Sequence, residues 1–310
     1  MSQTNDSPST LHPSTARRRL PSWIRTPVKK GVKREEVHTL VDGLKLNTVC
    51  QSAKCPNQAE CWHSGTATFM ILGDNCTRQC KFCAIDSFNP EPVDPFEPTR
   101  VADASAKLNL GFVVVTSVDR DDLEDKGAGH FVRTIKAIQR RLPDAGIEVL
   151  TPDFKGKGEL IQQVVDARPR VFNHNMETCE RLTPPIRSGA QYRRSLDVLK
   201  QARSFGDGKV AIKSGIMVGL GETNDEVLQT IRQMLEAGVQ ILTIGQYLPP
   251  TRKHWPLHRY VEPAQFEEWA QMALEMGFGA VASSPMVRSS YRAEELANEI
   301  LGPQARSAVS

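Results

Sequence analysis

Residues 66–83 read TATFMILGDNCTRQCKFC. The first seven carry no charge and are apolar or β-branched, the composition of a short strand buried on both faces. They run directly into a polar loop holding Cys76, Cys80 and Cys83. The same unit recurs outward from there. Apolar, β-rich runs stand at 112–116 (FVVVT), 147–150 (IEVL), 170–173 (RVFN), 210–218 (VAIKSGIMV) and 239–244 (VQILTI). The intervening segments have helical spacing: Phe131, Ile135, Ile138 and Leu142 make one apolar stripe, and 158–167, 191–204, 224–237 and 263–276 behave alike. Asn224, with Glu226 and an apolar run behind it, reads as a helix N-cap. Six strand–helix units in succession predict a parallel sheet with right-handed crossovers. The expected fold class is therefore α/β, a partial (β/α)6 barrel with N- and C-terminal extensions; an open doubly wound sheet is the alternative. Either fold collects function at the C-terminal strand ends. Polar segments stand there: the cysteine loop, Thr116–Asp122, Thr151-Pro152-Asp153, Asn173–Glu177, Gly219–Glu222 and Gly245-Gln246-Tyr247.

Composition narrows the class. A net charge of +3 with 24% charged residues is close to balance, which speaks against nucleic acid as a partner. No apolar stretch approaches the roughly 18 residues of a membrane span, and the N-terminus lacks the apolar core of a secretory signal. Residues 1–20 are Ser/Thr/Pro-rich, end in Arg17-Arg18-Arg19, and read as a disordered tail. An organellar transit peptide is the alternative, opposed by Asp6 and the prolines. The expected organisation is tail 1–20, N-terminal extension 21–65, barrel 66–280 and C-terminal extension 281–310, in the cytoplasm.

Seven cysteines remain the outstanding feature, six of them between Cys50 and Cys83. Their odd number in a long chain without a signal peptide points to metal-bound thiolates and away from disulfides. Cys76-x3-Cys80-x2-Cys83 supplies three ligands, which suits a four-iron cubane whose remaining iron can chelate a small molecule. Cys50-x4-Cys55-x5-Cys61 supplies three more, in a polar segment before the barrel. Zinc, completed by a histidine such as His63, is the competing reading; structural zinc sites are closed by four ligands. Cys179 stands apart and reads as a free thiol.

The cysteine spacings, with Phe82 before the last cysteine, resemble the signature of the radical S-adenosylmethionine superfamily. Within it, the runs CQSAKCPN (50–57), GTATFMILG (65–73), VVTSVDRDDL (114–123), NHNMET (173–178), KSGIMVGLGE (213–222) and RSSY (288–291) resemble the lipoyl synthase family. The likeness covers about residues 20–300. It implies a radical SAM-type barrel whose extensions carry an auxiliary cluster. It also implies two 4Fe–4S clusters and S-adenosylmethionine as cofactors. The Cys76/Cys80/Cys83 cluster would cleave S-adenosylmethionine, and the resulting radical would abstract hydrogen at C6 and C8 of a protein-bound octanoyl chain. The Cys50/Cys55/Cys61 cluster, its fourth iron on Ser290, would be consumed as sulfur donor. Thr116, Asp119, Asn175, Glu177, Gly219 and Glu222 are the expected contacts of S-adenosylmethionine. Expected partners are octanoylated lipoyl carrier domains (acyltransferase subunits of 2-oxoacid dehydrogenases, glycine cleavage H protein), a flavodoxin- or ferredoxin-type electron donor and an iron–sulfur cluster carrier. Arg288 and Arg292 offer a basic face to an acidic carrier. Two other readings stand beside this one: a biotin synthase- or methylthiotransferase-type two-cluster enzyme, and a non-catalytic metal-binding module. Lys213, on a strand expected to be buried, calls for a charge partner, and His174 for either a cofactor contact or a core hydrogen bond.

Overall fold

Strands buried on both faces need a helix layer outside and a filled interior, and the chain supplies both. The computed structural model describes residues 20–24, 32–52, 57 and 66–303. Short β1 (Asn47–Thr48) lies antiparallel on β2 (Thr66–Ile71). A two-stranded parallel ladder, β3 (Asn75–Cys76) with β4 (Asp86–Ser87), frames the cysteine loop. The main sheet continues through β5 (Phe112–Ser117), β6 (Gly146–Leu150), β7 (Val171–Asn173), β8 (Ala211–Val218), β9 (Ile241–Gln246) and β10 (Ala280–Ser284), each parallel to the last. The order β1-β2-β5-β6-β7-β8-β9-β10 leaves β1 and β10 as free edges, so the barrel is partial.

The six predicted strands and five predicted helices are present, with ends moved by a few residues. Several elements escaped the sequence pattern, among them the helices Val32–Gly43 and Thr183–Ile186. The helix Glu97–Lys107 buries Val101, Ala102 and Ala104, side chains too small to register as an apolar stripe. Strand β10 (AVASS) has little apolar mass and is selected by its register on β9, Ala280 opposite Ile241. A C-terminal helix, Ala293–Leu301, follows β10. One cap also moves. Thr223, not Asn224, is the N-cap, closing a reciprocal capping box with Glu226, while Asn224 Oδ1 accepts the Trp269 indole N–H at 2.6 Å.

Alternation sorts each strand into two faces. Outward residues such as Val113, Val115, Val149 and Phe172 pack under the helices with Phe131, Ile135 and Ile161. Inward residues Phe112, Val114, Val171, Ala211, Ile241 and Ala280 line the lower interior. That space is filled by Ala293, Leu296 and Ala297 of the C-terminal helix, which plugs the barrel from below. Arg170, at the lower end of β7, fastens the plug through Asn298 Oδ1 (3.0 Å) and the Gly302 carbonyl.

Above the plug lies a buried ion pair. Lys213 Nζ meets both carboxylate oxygens of Glu148 at 3.0 and 2.9 Å, both side chains fully buried. Asn173 Nδ2 donates to the same carboxylate at 2.8 Å. This is the partner the buried lysine required, and it divides apolar floor from polar mouth. Removing one member leaves an uncompensated buried charge, so Lys213→Met is expected to destabilise the fold by about 3–5 kcal/mol. The double variant Glu148→Leu/Lys213→Met should regain most of that loss; urea unfolding of both checks it.

Candidate active site at the barrel mouth

The cysteine loop is pinned at several points to neighbouring strand ends. Thr77 donates from its N–H (3.0 Å) and its hydroxyl (2.9 Å) to the Asp119 carbonyl, and its hydroxyl accepts from Asp121 N–H at 2.9 Å. Lys81 N–H donates to the Ile186 carbonyl at 2.8 Å. Cys76 Sγ accepts from the N–H groups of Arg78 (3.4 Å) and Asp119 (3.3 Å).

The strongest fastening is Arg78, inside the loop and only 7% exposed. Its Nε and Nη2 form a fork on Asp121 (2.8 and 2.9 Å), and Nη2 also reaches Asp153 at 2.7 Å. Nη1 stands 3.3 Å from Asp119 Oδ1 without the alignment of a hydrogen bond, so that oxygen is left without a hydrogen-bonded partner. Arg194 and Lys155 flank the cluster on Asp153 (2.8 Å) and Asp121 (2.7 Å). Burial opposes the charge on Asp153, but the Arg78 hydrogen bond and charge prevail and hold its carboxyl far below the usual range. Asp119 differs: burial outweighs the pull of Arg78, and the charges of Asp153 and Asp121 add to it, pushing its carboxyl up to about 6.

Burial, followed by the charge of Asp119, raises the thiol pKa of Cys76 and pushes that of Cys80 up to about 12. Burial likewise pushes Cys83 up to about 11. All three are free thiols, as is buried Cys179. Among the described residues, no three His, Cys, Asp or Glu side chains converge as a single-ion site. Of the second triplet, Cys50 falls in the helix Val49–Ser52, while its side chain and residues Cys55 and Cys61 lie outside the described residues, as does the tail 1–19. Asn57, between those cysteines in sequence, is buried and donates from Nδ2 to the Met286 carbonyl at 2.6 Å. The N-terminal segment is thereby tied next to the Arg288–Tyr291 turn. That turn crosses the mouth closely: a Cβ on Gly245, at the top of β9, would stand 2.2 Å from the Val287 carbonyl oxygen. Ser289 and Ser290 are half-buried in the turn, with Tyr291 N–H donating to the Arg288 carbonyl at 2.9 Å.

The other expected contacts lie on neighbouring strand ends. Thr116 spends its hydroxyl hydrogen on the Leu150 carbonyl at 2.9 Å. Asn175 donates to Glu177 Oε1 at 3.1 Å and leaves its buried Oδ1 without a partner. Glu177 sits at φ 63°, held by Gly215 O and Met217 N, and burial raises its carboxyl against the charge of Arg187. Glu222 turns inward on its own loop, accepting from Gly219 N–H (2.6 Å) and Leu220 N–H (2.9 Å). Gly219 has φ 95°, and a Cβ there would meet Gln246 Nε2 at 2.3 Å. Arg187 escaped the sequence reading. It is 7% exposed, uses Nη1 on the Met176 carbonyl (3.0 Å) and Ser195 Oγ (3.2 Å), and makes no ion pair within 4.0 Å among the described residues. Its charge acts on Cys80, Asp119 and Glu177 together. Only its flanking Pro184-Pro185 and Gly189 hinted at an ordered turn.

Residues 70–234 match the Radical SAM superfamily model, more than half of the chain. Solved structures agree on the fold: the hydrogenase maturase HydG of Carboxydothermus hydrogenoformans (TM-score 0.58, 13% identity, 87% of this chain and 70% of that one) and methylornithine synthase (TM-score 0.53, 14% identity, 81% and 82%). The class is thus a radical SAM enzyme. Curated relatives define it further. Lipoyl synthase of Rubrobacter xylanophilus is 52% identical over 89% of this chain and 85% of its own length. That of Caldicellulosiruptor saccharolyticus is 50% identical over 89% and 96%. This chain belongs to the lipoyl synthase family, and identities at this level set aside the biotin synthase, methylthiotransferase and non-catalytic readings. No helix among the described residues is long and apolar enough to cross a membrane.

His174 has the core role and not the cofactor role. Buried, it donates from Nδ1 to the Thr151 carbonyl (2.9 Å), so Nε2 accepts from the Ser195 hydroxyl (3.0 Å), which itself accepts from Arg187. Burial, then the charge of Arg187, lowers its pKa to about 4. The unfolded chain, with the ordinary histidine value of 6.5, binds a proton below that pH that the folded chain refuses until about 4. Stability is therefore full above pH 7 and falls as pH drops. Relative to His174→Gln, the protein should lose about 2 kcal/mol between pH 7.5 and 5.0 in urea unfolding.

Proposed function

We propose that this chain inserts two sulfur atoms, at C6 and C8, into an octanoyl group held on a lysine of a lipoyl carrier domain, completing protein lipoylation. The observation that supports this best is the Cys76–Cys83 loop hung above strand ends that hold unsatisfied buried polar atoms: Ser117 Oγ, Asp119 Oδ1, Asn175 Oδ1 and Thr178 Oγ1. Buried orphans of this kind call for a ligand. Gly215 belongs with them, since a Cβ there would meet Thr243 Oγ1 at 2.2 Å and Asn175 Oδ1 at 3.3 Å, so the space beside Asn175 has no room for a side chain. The residues present fit an amino-acid-bearing nucleoside beside a three-thiolate cluster. When bound, the first cluster supplies the electron that cleaves S-adenosylmethionine to a hydrogen-abstracting 5′-deoxyadenosyl radical, and the second supplies the two sulfur atoms.

The chain's own residues divide the work. Cys76, Cys80 and Cys83 would hold the first cluster as thiolates, giving up the protons that burial otherwise retains. Asp119 Oδ1 and Asn175 Oδ1 accept from the methionyl ammonium, and Arg187 faces its carboxylate. Glu177 and Thr116 serve the ribose hydroxyls. Gly219 lets the β8 loop approach the adenine, with Glu222 holding that loop's N–H groups in place. Cys50, Cys55 and Cys61 hold the second cluster with Ser290 as oxygen ligand. The Asn57–Met286 bond supports this, because it ties the segment of the second triplet to the turn carrying Ser290. A serine oxygen is a harder ligand than a thiolate, so Ser290 would hold its iron differently from the three cysteines. Octanoylated acyltransferase subunits and glycine cleavage H protein are the carriers, an iron–sulfur carrier rebuilds the second cluster, and the cytoplasm is the compartment.

Anaerobic incubation with S-adenosylmethionine, dithionite and an octanoylated peptide tests this by mass. Cys76→Ala, Cys80→Ala or Cys83→Ala should abolish 5′-deoxyadenosine, whereas Cys50→Ala, Cys55→Ala or Cys61→Ala should keep its formation and lose sulfur insertion. Lipoyl product from the Cys50 variant would refute the donor role. Reconstituted protein should hold about eight irons per chain; a reproducible value near four would remove one cluster. Ser290→Ala should lower iron content and product while Ser289→Ala leaves both intact, and two normal variants would end the ligand assignment.

A further inference from the structure

The segment 248–261, LPPTRKHWPLHRYV, leaves β9 and lies across the cysteine loop. Trp255 N–H donates to the Lys81 carbonyl at 2.8 Å, and the Trp255 indole N–H to the Leu220 carbonyl at 2.9 Å. His254 Nδ1 accepts from Thr251 N–H at 3.2 Å, which leaves Nε2 to donate to the Cys83 carbonyl at 2.9 Å. His258 N–H holds the Gly219 carbonyl at 2.9 Å, and Tyr247 Oη holds the Trp255 carbonyl at 2.8 Å. Trp255 and Leu257 of the strap and Phe82 of the cysteine loop pack on one buried cluster, Leu182, Ile186, Leu220 and Tyr247. Pro249, Pro250 and Pro256 stiffen the strap. One hydrogen-bonded side chain, His254, therefore separates the strap's outer face from the backbone of Cys83.

That outer face is cationic and unneutralised. Arg252, Lys253 and Arg259 are exposed and make no ion pair among the described residues, and the strap contains no Asp or Glu. Exposed Lys81 of the cysteine loop adds to it, 5.6 Å from the Trp255 ring. Three exposed arginines near the mouth loops or the C-terminal turn are paired: Arg181 with Glu226, Arg193 with Glu180 and Arg292 with Glu295. A rigid cationic face left open over a loop of thiolate ligands suits an acidic protein that docks by charge.

We infer that this strap is the docking surface for a small acidic electron-carrier protein, which delivers one electron at a time through it. The carrier's own cofactor is oxidised by one electron and the site held by Cys76, Cys80 and Cys83 is reduced by one; no bond is made or broken in the transfer. The inference rests on the proposed function, since that reading is what gives the site held by Cys76, Cys80 and Cys83 an electron to receive. The octanoyl carrier is the competing occupant, but its acyl chain must reach the barrel interior, whereas His254 and Trp255 bond the strap to the backbone of the cysteine loop.

Arg252→Glu/Lys253→Glu and the milder Arg252→Gln/Lys253→Gln test this in the reconstituted holoenzyme, with flavodoxin as the probe. The charge reversal should raise the Kd for flavodoxin, measured by fluorescence anisotropy, and the KM for reduced flavodoxin by about tenfold, and flatten their salt dependence. The glutamine pair should give a smaller effect of the same sign. Cleavage of S-adenosylmethionine driven by dithionite, and the KM for octanoylated carrier, should stay at wild-type values. Unchanged flavodoxin affinity, a rise only in the carrier's KM, or loss of dithionite-driven cleavage in the variants would overturn the assignment. Absence of dithionite-driven cleavage in the wild-type protein would instead remove the functional reading beneath it.

Discussion

The guanidinium of Arg78 belongs by sequence to the cysteine loop and by contact to carboxylates on two other strand ends, Asp119 and Asp121 after β5 and Asp153 after β6. A loop carrying three half-buried thiols, with only Cys76 and Phe82 packed on apolar clusters, has little hydrophobic reason to lie across a barrel mouth. It lies there because a nearly buried arginine is tolerable only where carboxylates meet it. The fork on Asp121 fixes direction as well as distance. Thr77 bonds the same β5 loop through its main chain and hydroxyl, so adjacent residues of the loop are held in one register. The unequal outcome for the carboxylates follows from supply: three are presented, and one guanidinium aligns with only two. The oxygen left over, Asp119 Oδ1, faces the site.

The interior is layered, and the layering directs the chemistry. Its floor is apolar and closed by the C-terminal helix, its middle holds Glu148, Asn173 and Lys213, and its top holds polar atoms without partners. A ligand entering from above meets hydrogen-bonding groups first and a sealed floor below, where water has no route through. The plug helix has a second consequence. Because Ala293, Leu296 and Ala297 are drawn into the lower barrel, the preceding turn with Ser289 and Ser290 is held at the mouth close to β9. Packing at one end of the barrel thus places a polar motif at the other. The Asn57–Met286 bond extends that arrangement to the N-terminal segment.

Much of this was legible in the chain. Runs such as FVVVT and VAIKSGIMV needed no partner to be read as strands, because a β-branched run buried on both faces has few other uses. The Cys76-x3-Cys80-x2-Cys83 spacing singled out the loop that the fold places at the strand ends, and the expected burial of Lys213 demanded a counter-charge whose identity stayed open. Elements built from small side chains were not legible: Glu97–Lys107 and AVASS carry too little apolar mass, and only their neighbours make them helix and strand.

What the sequence by itself determined is the alternation of strand and helix, the ligand types and their spacing, because these depend on residues close together along the chain. Which side chains meet was decided only by the tertiary structure. Arg187 and Cys80 lie more than a hundred residues apart in the sequence, yet the charge of one acts on the thiol of the other. Arg78 reaches Asp153, and His254 reaches the carbonyl of Cys83, across separations of 75 and 171 residues. Such contacts leave no periodic trace, since a buried charge dictates that a partner exist but not where in the chain it must come from.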